Sequence, residues 1–475
     1  MTPEEFREHG YRVIDWIADY QQRIETLPVL SQVAPGDIRR RLPAHPPRTG
    51  EDFSALLADL DTVILPGVTH WQHPSFFAYF PANASGPAIL GDLLASGLGV
   101  QGMLWATSPA ATELETHVLD WLAELLDLPS SFSSGSAGGG VIQSTASDAA
   151  LVALLAALHR ASSGATEELG VAAGRFTVYT SGQTHSSVEK ACRIAGLGAA
   201  ALRKLDTDPW TQAADAEQLA RLLAEDVAAG YTPALVVASV GATGTGALDP
   251  VGRLTELAHA YGAWLHVDAA WAGVAAVCEE LRFVNEGLSD VDSYATNPHK
   301  WLLTNFDCNA FWVADRTALI GALSILPEYL RNSATESGAV IDYRDWQVPL
   351  GRRFRALKLW AVLRSYGAEG LADHIRGHVQ LAQDFAGWVA ADERFKLLAP
   401  HPLALVTFTL RAGDGATRAV LADINASGRA YLTHTVVNGR YAIRLAIGSV
   451  LTERRHVEAV WEAITAAADR AGAAG

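Results

Sequence analysis

Apolar residues near the start of the chain recur at helical spacing. Val13, Ile17 and Ile24 lie on one face of a helix predicted from roughly Pro3 to Glu25, and proline suits its first turn. A second amphipathic stretch runs from Phe53 to Leu65. These helices carry too little apolar surface to form a domain alone. We therefore expect them to pack on the main body or on a second subunit.

The middle of the chain alternates strand-like apolar runs with helical stretches rich in Ala and Leu. The predicted strands include Phe176–Tyr179, Leu235–Ala238, Trp264–Val267 and Ala310–Val313, and the predicted helices include Ala149–Arg160 and Ala214–Ala228. This alternation predicts an α/β fold with a mostly parallel sheet covered by helices on both faces. Sites in such folds gather at the C-terminal ends of the strands.

The last hundred residues have a different pattern. Leu405–Leu410 and Tyr441–Ile447 alternate with period two, which is typical of a half-buried antiparallel sheet, and a closing helix carries Val457 and Ile464. These elements predict a small α+β domain. The predicted units are an N-terminal helical segment (1–84), a large α/β domain (85–355) and a C-terminal α+β domain (356–475).

Composition narrows the functional classes. The 475 residues are 49% hydrophobic and 19% charged, which is ordinary for an enzyme with a large interior. The formal charge of −16 argues against a nucleic-acid partner, which needs clustered Lys and Arg. The three cysteines show neither disulfide nor metal-ligand spacing, and no apolar run is long enough for export or for a membrane span. We expect a cytoplasmic protein.

A lysine and an acid follow two successive strand-like runs. Lys300 ends the tetrapeptide Asn297-Pro298-His299-Lys300, and Asp268 ends the run that begins at Trp264. This pair suits pyridoxal phosphate (PLP), because a lysine forms a Schiff base with its aldehyde and an acid keeps its ring nitrogen protonated. Taken singly, a surface lysine and an ordinary strand-end aspartate would be the commoner interpretation.

Polar residues elsewhere favour the same cofactor. The small-residue loop 133–140 leads to Ser147 and Asp148 at a helix start, where free amides suit a phosphate or the two side chains simply cap the helix. A dinucleotide loop is the alternative, but the glycine spacing does not fit. His185 follows a strand and could stack on a planar ring or be structural. Thr243 lies in a glycine-rich turn and could reach the ring or belong to a plain turn.

Two further stretches are candidates for the substrate side. The aromatic run 71–81 has no clean period and is interpreted either as core or as the lining of an aromatic pocket. The polar stretch 326–338 is aperiodic and predicts a mobile loop. Its Tyr329 could donate a proton if the loop closes over a site.

Together these segments resemble the pyridoxal-phosphate-dependent group II decarboxylases, specifically the aromatic-L-amino-acid decarboxylases. The resemblance runs from about Glu5 to Ala463. Its strongest stretches are His73–Pro81, Ser108–Glu115, His266–Gly273, Asn297–Cys308 and Asp345–Trp360. It implies a fold type I α/β enzyme that converts tryptophan, tyrosine, phenylalanine or DOPA into the amine and carbon dioxide. It also implies an obligate homodimer with shared active sites, in which the N-terminal helices wrap the partner.

The resemblance implies a role for each matching residue. Lys300 would bind the PLP aldehyde, Asp268 would pair with the pyridine nitrogen, and His185 and Ala270 would contact the two ring faces. The phosphate and the polar edge of the cofactor would be held by Ala146, Ser147, Asn297 and Thr243. His299 would orient the substrate carboxylate, and Tyr329 would protonate the carbanion. The side-chain pocket would be lined by Trp71, Tyr79, Phe80, Pro81 and Ala82, with Gln101 and Met103 from the neighbouring subunit.

Some positions bear on product and substrate. Aldehyde synthases of this family often replace the loop tyrosine or the stacking histidine, so intact Tyr329 and His185 favour the amine over the alternative, an aromatic acetaldehyde. Gly351 lies where plant members tend to carry glycine for indolic substrates. Ala82 replaces a common hydroxyl residue and Trp271 replaces a common tyrosine, so the preferred aromatic acid stays open.

Overall fold

The computed structural model describes residues 1–325, 333–336 and 340–473. Its helices are α1 (Pro3–Arg23), α2 (Asp37–Arg41), α3 (Phe53–Asp59), α4 (Gly86–Leu98), α5 (Pro109–Leu125), α6 (Ala146–Ala161), α7 (Thr166–Leu169), α8 (Ser187–Ile194), α9 (Ala216–Ala228), α10 (Val251–Ala260), α11 (Pro298–Trp301), α12 (Arg316–Leu323), α13 (Ser333–Glu336), α14 (Ala356–Ala391), α15 (Asp414–Ala426) and α16 (Arg454–Ala473). Its strands are β1 (Gly139–Gln143), β2 (Phe176–Ser181), β3 (Leu202–Leu205), β4 (Thr232–Ser239), β5 (Trp264–Asp268), β6 (Ser293–Thr296), β7 (Asn309–Val313), β8 (Phe395–Leu397), β9 (Leu405–Leu410), β10 (Thr433–Val437) and β11 (Arg440–Ala446).

A seven-stranded sheet forms the centre of the molecule, in the order β1-β7-β6-β5-β4-β2-β3. The strands from β3 to β6 pair in parallel, whereas β7 runs antiparallel to both β6 and β1. Leu235 and Val237 of β4 belong to one hydrophobic cluster, and Val236 and Ala238 belong to another. Both faces of the sheet are therefore buried, which confirms the predicted mostly parallel α/β fold.

A second, four-stranded antiparallel sheet has the order β10-β11-β9-β8. The expectation that it is half-buried is wrong, because every residue of β9 is buried. Polar side chains on the second face donate hydrogen bonds to backbone carbonyls of neighbouring chain segments. Thr407 donates to the Gly244 carbonyl, and Arg444 donates to the Tyr79 carbonyl at 3.2 Å. This face therefore packs against the segments near the large sheet. The domain limits at 84 and 355 stay predictions.

The N-terminal helix lies on the surface of the chain. α1 contains no buried residue, and it ends at Arg23, slightly before the predicted Glu25. Its attachments are polar, including Trp16 to Asp61 at 3.2 Å and Tyr20 to His70 at 2.8 Å. The second predicted helix divides, because α3 ends at Asp59 and a wider helical turn continues to Ile64.

A buried ion pair covers the outer edge of the large sheet at β1. The Ile142 N–H donates to Glu115 Oε1 at 2.7 Å, and Arg352 Nη2 donates to the Ile142 carbonyl at 3.0 Å. The two charged groups are 2.5 Å apart, with side-chain exposures of 5% for Glu115 and 0% for Arg352. The pair thus occupies the hydrogen-bonding groups that an eighth strand would otherwise use.

The long helix α14 is broken at Gly367, which has φ 63° and ψ 178°. These angles lie in a region of backbone conformation that is essentially restricted to glycine. Before the break, α14 lies against α4, since a Cβ added at Gly91 would be 2.7 Å from Lys358 Cα. After the break, α14 contacts Trp301 through His378 and Phe408 of β9 through Phe385.

Over the described parts of the chain, no single helix combines the length and apolar composition needed to cross a membrane. One pair of helices, Ala146–Ala161 and Thr166–Ala173, passes on length and composition but is bent by 118°.

Candidate active site

A cavity of about 250 Å³ lies at the C-terminal ends of β4, β5 and β6. Parallel pairing brings these ends together, since Ser239 pairs with Asp268 and Asp268 pairs with Ala295. The cavity is lined by Phe80, Thr145, Ala146, Ser147, His185, Ser239, Gly241, Ala242, Thr243, Asp268, Ala270, Trp271, Asn297, His299, Lys300 and Phe306. All eight residues expected to hold the cofactor are in this set.

Lys300 enters the cavity from the single turn of α11, which begins at Pro298. Its Nζ lies 5.5 Å from the centre of the Phe80 ring. Burial lowers the pKa of the Lys300 amine. The carboxylate of Asp268 opposes this shift, and the buried guanidinium of Arg444 adds to it. A lowered pKa increases the uncharged fraction of the amine, which is the nucleophilic form.

The start of α6 also lines the cavity. The Thr145 N–H donates to Asp148 Oδ2 at 3.1 Å, so Thr145 is the N-cap and Asp148 closes the turn. The first-turn amides of Ala146 and Ser147 have no partners within the helix, and the helix dipole is positive at this end. This arrangement suits a phosphate ester. The preceding loop 133–140 does not line the cavity.

His299 and His185 have defined ring orientations. The Cys308 N–H donates to Nδ1 of His299 at 2.9 Å, and the Ser187 N–H donates to Nδ1 of His185 at 3.2 Å. Because Nδ1 accepts in both rings, the neutral form of each carries its proton on Nε2. Burial lowers the pKa of His299 to about 3, so this ring is a neutral donor.

Stacked aromatic rings form one wall. Phe80 stacks on Trp271 at 4.3 Å between ring centres, and Trp271 stacks on Trp301 at 5.0 Å. The Arg444 guanidinium lies 5.2 Å from the centre of the Phe80 ring. Phe80 and Trp271 are both almost fully buried. Aromatic stacking and burial therefore fix Phe80 beside Lys300, where its ring forms an apolar surface of the cavity.

The other residues expected at the substrate pocket do not line this cavity. Trp71 and Tyr79 stack on each other at 5.6 Å and are 38% and 46% exposed. Gln101 lies beside Gly351, and its Oε1 accepts from the Arg352 N–H at 2.9 Å. Pro81, Ala82 and Met103 are likewise absent from the lining. The predicted proton donor, Tyr329, lies outside the described residues.

Six lining residues were not among the predicted site residues: Thr145, Ser239, Gly241, Ala242, Trp271 and Phe306. Ser239 directly follows the predicted strand Leu235–Ala238, and Thr145 lies four residues before the predicted helix Ala149–Arg160, so the ends of predicted elements could have indicated both. Gly241 has φ 82°, and a Cβ there would be 2.4 Å from the Ala272 Cβ. Only glycine avoids that clash. Phe306 lies within the stretch Asn297–Cys308 that carries the family resemblance, but the resemblance implies no role for it.

The chemistry of the lining fits PLP. The start of α6 and the side chain of Asn297 offer donors for a phosphate, Asp268 offers a carboxylate for a pyridine nitrogen, and Lys300 offers an amine for an aldehyde. These three functions occur in one cavity with an apolar wall. Such a combination matches the three reactive parts of the cofactor.

Comparison with known proteins agrees with this chemistry. The pyridoxal-dependent decarboxylase conserved domain matches residues 35–411. Phenylacetaldehyde synthase of Arabidopsis thaliana is 46% identical over 476 residues, covering 98% of this chain and 96% of the relative. Tryptophan decarboxylase 2 of Oryza sativa subsp. japonica is 44% identical over 470 residues, covering 97% and 94%. The crystal structure of Oryza sativa TDC with PLP and tryptamine superposes with a TM-score of 0.96, at 42% identity, over 99% of both chains.

Proposed function

Because the chain belongs to the pyridoxal-dependent decarboxylase family, we propose that it decarboxylates an aromatic L-amino acid. The products are the arylalkylamine and carbon dioxide. One observation carries the proposal: the Lys300 amine, with its lowered pKa, shares a cavity with Asp268 and the anion-binding start of α6. When bound, PLP supplies a conjugated ring that accepts the electron pair left as carbon dioxide departs.

The residues of the chain prepare and direct this reaction. Lys300, in its uncharged form, would bind the PLP aldehyde, and Asp268 would hold a proton on the pyridine nitrogen by charge attraction. His299 donates from Nε2 to the substrate carboxylate without a full positive charge. A neutral donor orients the substrate carboxylate but stabilises it less than a cation would. The bound substrate is therefore stabilised less relative to the transition state in which the carboxylate leaves as carbon dioxide. On sequence grounds, Tyr329 returns a proton to the α-carbon.

An aromatic substrate fits the wall of the cavity. Phe80 offers its ring beside Lys300, and Trp271 and Phe306 add further aromatic surface. Aromatic side chains attract one another in stacked and edge-to-face arrangements. Relatives named for tryptophan and tyrosine support this class of substrate. Gly351 favours tryptophan among them.

Product analysis tests the proposal. PLP-loaded protein is given equal amounts of tryptophan, tyrosine, phenylalanine and DOPA, and the products are identified by mass spectrometry. We expect one dominant amine and stoichiometric carbon dioxide. Lys300→Ala should abolish both, while Lys396→Ala, which alters an exposed lysine of β8, should change neither. Four unchanged amino acids, or full turnover by Lys300→Ala, would contradict the proposal.

An aromatic acetaldehyde synthase is the second candidate. The relative named phenylacetaldehyde synthase, at 46% identity, favours it. Such an enzyme consumes oxygen and water and releases the aldehyde, carbon dioxide, ammonia and hydrogen peroxide. Tyr329 and His185 favour the amine instead. An oxygen electrode and a peroxide assay on the same reaction distinguish the two, because the amine pathway leaves oxygen unchanged.

We also propose a homodimer that completes each site with residues of both chains. α4 exposes four leucines, at 50% for Leu90 and Leu93 and 61% for Leu94 and Leu98. Phe306 at the cavity mouth is 58% exposed. Apolar surface of this extent is typical of a subunit interface. Leu94→Glu should give monomers in analytical ultracentrifugation, whereas Leu169→Glu, at a residue 60% exposed elsewhere, should leave dimers. A wild-type monomer would exclude the idea.

A cytoplasmic location is part of the same proposal. Cys192, Cys278 and Cys308 are all buried free thiols. Unpaired cysteines are typical of a reducing compartment. Recovery of a tagged protein in the soluble cytoplasmic fraction would agree, and recovery with membranes or in the medium would not.

A further inference from the structure

Asn309, the first residue of β7, contacts the cavity residue Asn297 from outside the cavity. It is fully buried. Its Nδ2 lies 3.1 Å from the Thr296 carbonyl oxygen and 2.6 Å from Asn297 Oδ1. The close approach arises because β6 and β7 run antiparallel, with Thr296 opposite Ala310. Asn309 therefore lies beside the end of β6, where Thr296 is followed by the cavity residue Asn297.

The orientation of the Asn309 amide is determined by its neighbour. A carbonyl oxygen only accepts hydrogen bonds, so the Asn309 atom facing Thr296 must be the NH₂ group. The reverse orientation would bring two oxygens together. Asn309 Oδ1 has no hydrogen-bond partner among the described residues, so nothing there favours that reversal.

The orientation of Asn297 follows from that of Asn309. The Asn309 Nδ2 also faces the Asn297 amide, and two NH₂ groups would repel each other, so the facing atom is Asn297 Oδ1. The Asn297 backbone is already engaged, since its N–H donates to Ala270 and its carbonyl accepts from Lys300, both at 2.9 Å. The NH₂ of Asn297 is left to face the cavity that it lines with Ala146 and Ser147.

We infer that Asn309 is a positioning residue that makes Asn297 a hydrogen-bond donor toward the cofactor phosphate. A phosphate dianion accepts hydrogen bonds and repels a carbonyl oxygen. With Asn309 in place, Asn297 adds a donor to the first-turn amides of α6. Without it, the Asn297 amide can turn and present its oxygen to the phosphate. The inference rests on the proposed function, because it requires PLP in this cavity.

Asn309→Asp tests the inference directly. The carboxylate has no donor, so it attracts the Asn297 NH₂ and turns the Asn297 oxygen toward the cavity. The full-length chain is stripped of cofactor and titrated with PLP and, separately, with pyridoxal, which lacks the phosphate. Loss of one charge-assisted hydrogen bond predicts that the PLP dissociation constant rises about tenfold or more. The pyridoxal dissociation constant should change little.

The ratio of the two dissociation constants distinguishes positioning from general damage to the structure. Asn285→Asp is the matched control, because the Asn285 Nδ2 also donates to a carbonyl oxygen, that of Leu126 at 2.6 Å, away from the cavity. It should leave the ratio unchanged. Asn309→Ala is measured beside Asn309→Asp and should give a smaller increase in the ratio, because it removes the constraint without reversing it and adds no charge.

Each result has one interpretation. A ratio that rises in the uncharged Asn309→Ala as well as in Asn309→Asp, and not in Asn285→Asp, supports the inference. An unchanged ratio in Asn309→Ala overturns it and leaves the proposed function intact, because a rise in Asn309→Asp alone is repulsion between the new carboxylate and the phosphate. Wild-type protein that binds neither ligand would instead overturn the proposed function.

Discussion

The ion pair between Glu115 and Arg352 allows a quantitative prediction about stability. Both side chains are buried, and both bind the backbone of Ile142 at the sheet edge. Glu115→Leu would leave the Arg352 charge buried without its partner, which costs about 3–5 kcal/mol. The Ile142 N–H would also lose its acceptor, at about 1–3 kcal/mol. We therefore expect the free energy of unfolding to fall by at least about 4 kcal/mol.

A second substitution should restore part of this loss. Glu115→Leu combined with Arg352→Met removes both charges, so only the unpaired N–H and carbonyl of Ile142 remain, and at about 1–3 kcal/mol each they leave about 2–6 kcal/mol of the loss. The exposed pair of Arg253 and Glu217, 3.4 Å apart, is the control. Glu217→Leu should cost less than about 1 kcal/mol.

Urea unfolding gives the free energy of unfolding of the wild type, Glu115→Leu, the double variant and Glu217→Leu. Tryptophan fluorescence and circular dichroism follow the transition at one protein concentration and one PLP concentration, so that binding contributes equally to each variant. The reasoning is refuted if Glu115→Leu is no worse than Glu217→Leu. It is also refuted if the double variant is less stable than Glu115→Leu alone.

Two further predictions concern helix packing and pH. Gly91→Ala places a methyl group 2.7 Å from Lys358 Cα and should destabilise the protein by about 1–3 kcal/mol in thermal unfolding. Gly377→Ala, on α14 with nothing within 4 Å of the added Cβ, should be neutral or stabilising by up to about 1 kcal/mol; equal effects would show that the α4 contact is not tight. Since the pKa of His299 is lowered to about 3, its ring stays neutral through about pH 5–8. We therefore expect any ionisation seen in the kcat/KM profile between about pH 5 and 8 to persist in His299→Gln. An ionisation in that window that disappears in His299→Gln would contradict the prediction.

The fold was largely predictable because its signals are local. Leu235–Ala238 is a continuous apolar run and Trp264–Val267 is apolar except at His266, and the structure buries both strands on both faces. The small sheet was misjudged for a physical reason. Thr407 and Arg444 alternate with apolar residues as solvent-facing positions do, yet they are buried with backbone carbonyls as acceptors. A period-two pattern does not reveal whether a polar side chain faces water or a carbonyl group.

The candidate site was predictable where residues end elements. Parallel pairing brings the ends of β4, β5 and β6 to one edge, so Asp268, Asn297 and Lys300 meet although the sequence separates them. Asn309 was not identified, because its contact arises from antiparallel pairing of β7 that the sequence did not reveal. Trp71, Gln101 and Gly351 do not line the cavity. A local sequence pattern cannot indicate which distant residues complete a pocket.

The backbone angles of Gly367, at the break in α14, set the direction of the long helical segment that follows it. The part of α14 beyond it contains 24 residues and is about 36 Å long at 1.5 Å per residue. That arm contacts Trp301, next to Lys300, before it reaches Phe408 of the small sheet. A turn of about 10° at its base would displace its far end by about 6 Å. The φ and ψ angles of Gly367 are therefore more tightly constrained than its exposed position on the helix would suggest.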